Sequence, residues 1–145
     1  MARSDGRCDD ARVRADVQPE LWVSDTAAAA AYYERAFGAV VEHRVGGPDD
    51  ADGVVQLEVN GARFWVSGAS EQFGRFAPAS IAGATARFLL VVEHPQSVTD
   101  AAVVAGAELR SQVTEEHGWL LGRVVDPFGH EWEIGRPLGA WPPPA

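Results

Sequence analysis

The sequence repeats its own plan once, and nothing else in it restricts the possible fold so strongly. Laying Gly38 on Gly106 also lays Ala39 on Ala107 and Val45 on Val113. Around these anchors the first copy reads as a strand over Val17–Val23, a helix over Thr26–Phe37, Gly38-Ala39, and a strand over Val40–Val45. The second reads as a strand over Arg87–Val92, a helix over Ser97–Ala105, Gly106-Ala107, and a strand over Glu108–Val113. Ala29, Tyr33, Ala36 and Phe37 fall on one helix face, as do Val98, Ala102 and Ala105, which fits an apolar stripe packed on a sheet. Gly38 and Gly106 sit where a helix ends in a left-handed residue. Asp25 or Thr26 is placed to cap the first helix and Ser97 the second. Each copy closes with a hairpin: Val54–Val59 with Ala62–Ser67 across Asn60-Gly61, a strong short-turn signal, and Leu120–Val125 with His130–Ile134 across Asp126–Gly129. A duplicated β-α-β-β-β unit, hence an α+β fold, is the simplest description.

The last hairpin is chemically the most suggestive segment. Asp126-Pro127-Phe128-Gly129 suits a type I turn, because Pro presets φ and the Asp side chain can cap the turn's own backbone. In the strand that follows, alternation puts Glu131 and Glu133 on one face and His130, Trp132 and Ile134 on the other. A carboxylate projecting from mid-strand is either solvated or held in a cavity, and the role of Glu133 depends on which.

At 145 residues the chain suits a single domain with a real core. We expect a tail over residues 1–16, a folded body over 17–136 with units at about 17–67 and 86–135, and an extended Pro-rich tail over 137–145. No apolar run approaches the ~20 residues of a membrane-spanning helix, and residues 1–16 lack the apolar core of a secretory signal. The single Cys8 leaves no internal disulfide and disfavours a cysteine metal site, so a cytoplasmic protein is expected. A net charge of −9, from 21 acidic against 12 basic residues, argues against nucleic-acid and anionic-membrane partners. No Ser-His-Asp or Cys-His arrangement and no phosphate-cradling glycine loop is present.

The run Leu21–Ala39, Gly122-Arg123, and Asp126 to Trp132, set in paired βαβββ units, resemble the vicinal oxygen chelate superfamily, which includes glyoxalase I, bleomycin-resistance proteins and extradiol dioxygenases. Within it the chain looks most like PhnB-type glyoxalase-like proteins. The resemblance spans residues 17–136 and implies curved mixed β-sheets around a cup, the glyoxalase/bleomycin-resistance fold. It also implies a homodimer. In members that use a metal, each unit supplies a ligand from its first strand and one from its last. Those positions fall on Gln18, Trp65, Arg87 (or Ala86 if the register slips by one) and Glu133. Gln18 and Glu133 are possible ligands, whereas Trp65, Arg87 and Ala86 are not.

On this reading Gln18, Glu20 and Trp22 line the cup, while Val17, Pro19, Leu21 and Val23 pack beneath the helix; the alternative is that Glu20 and Trp22 decorate a solvated face. Trp65 either fills the space of a metal or belongs to the core. Arg87 is placed to pair with Glu133. Trp119 extends the lining, and the adjacent His117 is a general acid or base or simply a loop residue. His130 reads as structural. In the linker Ser67–Ala84, Phe73 and Phe76 suit either a lid or an anchor. Small-molecule binding in a cup without a catalytic metal is therefore expected, for instance to sequester a drug or metabolite, rather than conventional metal-dependent glyoxalase activity. The alternatives are a metal-dependent lyase or dioxygenase using Gln18 and Glu133, with Glu133 as base and Glu20, His117 or a partner chain adding donors, and a non-catalytic interaction module with a filled cup.

Overall fold

From β1 (Glu20–Val23) the chain crosses through α1 (Thr26–Phe37) to β2 (Val40–Val45), then fills the gap with the hairpin β3 (Val54–Val59) and β4 (Ala62–Gly68). A computed structural model describes residues 14–144. After a linker holding a 3-10 turn (Glu71–Phe73) and the short helix α2 (Pro78–Ile81), the same path is drawn again. It runs through β5 (Arg87–Val91), α3 (Pro95–Val104), β6 (Glu108–Glu116), β7 (Trp119–Val125) and β8 (Glu131–Pro137). The result is two four-stranded mixed sheets, ordered β1-β4-β3-β2 and β5-β8-β7-β6. In each, the first and last strands of the unit are parallel and the other pairs antiparallel. The crossover helix carries the chain to the far edge, so the last strand of the hairpin comes to rest beside the first.

Local chemistry sets the element ends. Asp25 caps α1 by accepting from the Ala28 amide at 3.0 Å. Thr26 instead ties the helix start to the loop ahead of β3: its hydroxyl donates to the Asp50 carbonyl at 2.9 Å. Gly38 ends α1 at φ 68°, a conformation that favours glycine. Two expectations need correction. β1 starts at Glu20, not Val17. The second helix starts at Pro95, where a missing N–H is harmless. Ser97 therefore lies inside the helix, and its hydroxyl donates to the His94 carbonyl at 3.1 Å instead of capping. Residues 1–13 of the expected N-terminal tail, with Cys8, lie outside the described residues.

The core lies between the helices and the sheets and joins the two units. Leu21, Val23, Val55, Leu57, Val66, Val124 and Ile134 are buried from the strands, and Ala29, Tyr32, Tyr33, Ala36 and Ala102 from the helices. Trp132 of the second unit is its aromatic hub. Its ring lies 5.7 Å from Tyr33 and 4.9 Å from Phe37 of α1, and 5.4 Å from both Phe64 of β4 and Phe88 of β5. The Tyr32 hydroxyl donates to the Ala102 carbonyl at 3.1 Å, linking α1 to α3. Among the described residues, no helix is long and apolar enough to cross a membrane.

Candidate functional site

Strand alternation leaves one face of each sheet free of helices. On the first sheet Glu20 and Trp22 project from β1, whose Leu21 and Val23 are buried. Strand register sets Trp65 opposite Glu20 and Gln56 opposite Trp65. On the second sheet, Leu89 stands opposite Glu133 and Arg123 opposite Glu133. The two halves therefore match position by position: Glu20 with Leu89, Trp65 with Glu133, Gln56 with Arg123. Two residues before Glu20 and Leu89 stand Gln18 and Arg87, so the register selects Arg87 over Ala86 for that position.

Each trio is bonded internally. Gln18 Oε1 accepts from the Trp65 indole at 2.7 Å and from Gln56 Nε2 at 3.0 Å, while Asp16 accepts from Gln18 Nε2 at 2.9 Å. In the second trio Glu133 Oε2 accepts from Arg123 Nε at 3.0 Å and lies 3.4 Å from Arg87 Nη2. Arg123 also donates to both oxygens of Glu116, at 2.8 and 2.9 Å. That hydrogen bonding and charge hold the Arg123 guanidinium even more firmly protonated than usual and pull the Glu116 carboxyl below its ordinary range. The first trio is thus neutral and bonded through an indole and two amides, the second a charged network. Glu133 is neither solvated nor alone: its side chain keeps 15% exposure inside that network.

The remaining candidates divide. Glu20 and Trp22 share a cavity of about 280 Å³ with Asp52, Val54, Ser67 and Arg75 on the first face. Trp119 lies apart, with the Trp141 ring of the C-terminal segment 5.2 Å away against it. His117 forms the β6–β7 turn with Gly118, both at positive φ (52° and 83°), and is exposed. His130 links the units, its Nε2 donating to the Trp22 carbonyl at 2.8 Å. Phe76 borders a cavity with Trp22 and His130, whereas Phe73 is exposed beneath the Arg75 guanidinium. Among the described residues no hydrogen bond or ion pair joins the Gln18–Trp65–Gln56 group to the Arg87–Glu133–Arg123 group. Arg123 and Glu116 were missed as site residues. Counting back from the Asp126–Gly129 turn pairs Arg123 with Glu133, so the signal was present.

A family model described as "Glyoxalase-like domain" matches residues 16–135. The chain belongs to the glyoxalase-like domain family. An uncharacterized Mycobacterium bovis protein is 32% identical over 126 residues, covering 84% of this chain and 83% of that one. The X-ray structure of an Arabidopsis thaliana gene product is 28% identical with a TM-score of 0.67, covering 86% of this chain and 100% of that one. At 16% identity, a bleomycin-binding protein crystallised with bleomycin shares the fold at a TM-score of 0.62, over 85% of this chain and 98% of its own. The chain thus has the fold of the glyoxalase/bleomycin-resistance proteins.

The residues present do not fit the metal that some relatives hold. Of the four matched positions, Trp65 has no donor lone pair to offer and Arg87 is a permanent cation. Transition-metal sites want about three or more His, Cys or carboxylate donors. Among the described residues no group of three such side chains is gathered.

Proposed function

We propose that this glyoxalase-like protein binds a small organic molecule on its helix-free sheet faces, without a catalytic metal, and so sequesters rather than transforms it. The carrying observation is the bonding of the four matched positions in pairs, Gln18 with Trp65 and Arg87 with Glu133. Positions that hold an ion in metal-using members here form a floor of one hydrogen-bonded pair and one ion pair. The lining is Gln18, Glu20, Trp22 and Trp65 on one face, and Arg87 and Glu133 on the other. The indoles of Trp22 and Trp65 suit a flat ring, and Glu20 with Asp52 favours positive charge on it. Trp119 stands apart from this lining, against Trp141. A PhnB-type homodimer is part of the proposal. Each face is open, and apolar side chains stand exposed on it, Leu89 and Val91 on β5 and Val40 and Val45 on β2, so a second copy would turn two half-cups into closed ones.

Two measurements on one preparation test this. Protein purified without chelator should carry far less than one equivalent of Zn, Ni, Mn or Fe. Its tryptophan fluorescence should respond to members of a panel of cationic and aromatic compounds, equally with and without EDTA. Stoichiometric metal that disappears in Glu133→Ala would overturn the metal-free reading, and a silent panel would overturn binding.

A further inference from the structure

Between the two units, beside β5 and the start of β4, lies a cavity of about 420 Å³. Its walls mix apolar side chains, Phe88 and the outer edges of Phe64, Leu90 and Trp132 among them, with polar and charged groups in nearly equal share. Two arginines border it, Arg63 from the first unit and Arg87 from the second. They are not equally available. Arg63 is engaged by Glu42 at 2.7 Å and Glu58 at 3.3 Å. Arg87 reaches a single oxygen at 3.4 Å, Glu133 Oε2, which already accepts from Arg123. Its side chain is 48% exposed, and among the described residues its other N–H groups meet no acceptor. Arginine cannot discharge itself by losing a proton. The seam thus offers a part-apolar groove with a permanent cation at its rim, paired through one N–H and open at the others.

We propose that this groove binds a monocarboxylate carried on a flat apolar body, with the Arg87 guanidinium gripping the carboxylate. The inference rests on the small-molecule reading above, shares only Arg87 with its lining, and adds an anion-selective subsite at the seam. A planar carboxylate matches the two-pronged guanidinium. A dianion such as phosphate fits less well, because Asp16 also borders the cavity and Glu133 stands behind Arg87, within a chain of net charge −9. A single cation balances a single negative charge, and the body of the ligand lies along the seam against Phe88 and the exposed edges of Phe64 and Trp132. The volume lies in the range of small-ligand sites and admits a two-ring aromatic.

The test compares 2-naphthoate with the uncharged 2-naphthamide by titration calorimetry on the full chain at low salt. A charge-assisted bidentate contact predicts about tenfold tighter binding of the acid. Arg87→Gln should cut that preference to under about twofold. Ala62→Glu, which sets a carboxylate on the cavity wall at an exposed position, should weaken the acid and spare the amide. Circular dichroism confirms that each variant is folded. Equal affinity for acid and amide would overturn the assignment while the small-molecule reading stood. So would a preference that survives Arg87→Gln, or one indifferent to Ala62→Glu. If neither compound binds while the fluorescence panel responds, the seam is not the site. If the panel is silent as well, both readings fall.

Discussion

Asp126 shows how much one residue of a turn motif can carry. It opens the Asp126–Gly129 turn, yet it is only 3% exposed and accepts four hydrogen bonds. Two come from its own turn, the Phe128 and His130 amides at 2.9 and 3.0 Å. The others come from the Trp132 indole at 3.0 Å and the Tyr33 hydroxyl. The turn role was legible from Asp-Pro-Phe-Gly; the Tyr33 contact spans 93 residues and was not. Asp126→Asn keeps the shape but turns an amide NH2 toward groups that donate, and the indole cannot accept. We expect a loss of about 3 kcal/mol in urea unfolding, and about 2 kcal/mol for Tyr33→Phe, which removes one donor to a buried carboxylate. An unchanged urea midpoint in Asp126→Asn would refute this role. Arg123 and Glu133 teach the reverse lesson, since their partnership follows from counting across the turn.

At the scale of elements, period and punctuation predicted the strands and helices, while neighbours decided their ends. β6 runs on to Glu116 because β7 offers partners as far as Trp119, which a window ending at Val113 could not register. The linker Ser67–Ala84 carries no periodic element signal, yet it folds into a 3-10 turn and α2, closed by a Ser70–Arg75 bridge. The tightest fit lies between β7 and β8. A Cβ on Gly135 would stand 2.2 Å from the Leu120 carbonyl oxygen, whereas one on Gly122 would meet only side-chain atoms, Val113 Cγ2 at 2.8 Å and Thr99 Oγ1 at 2.9 Å. Backbone cannot yield as a side chain can. Gly135→Ala should therefore lower stability by about 3 kcal/mol and Gly122→Ala by about 1 kcal/mol. Thermal melts that rank the two variants the other way would contradict this packing.

For the whole molecule, the shared core makes a pH prediction. Tyr32 and Tyr33 are the only tyrosines, and they are 1% and 0% exposed. Burial first, and then the Asp126 carboxylate, raise both phenols above the ordinary 10.0. With the folded values raised, stability is fully present below about pH 10 and falls above it, because the unfolded chain sheds protons that the folded chain keeps. Tyrosinate absorbance at 295 nm should stay absent past pH 10 and then appear together with loss of circular dichroism. A smooth titration centred near pH 10 with the fold intact would show that the tyrosines are not sealed in this core.

The sequence by itself determined the repeat, the α+β class, the hairpins and the occupants of the four matched positions. The first three depend on periodicity and turn chemistry, which are local or recur along the chain, and the last on residue identity read through the family resemblance. Only the tertiary structure decided that Gln18 binds Trp65 and Gln56, that Glu133 is shared by two arginines, that Trp141 lies against Trp119, and that a part-apolar seam with Arg87 at its rim runs between the units. Each of these joins side chains from different strands or from the chain's end, and their meeting depends on how two sheets and two helices pack around one core.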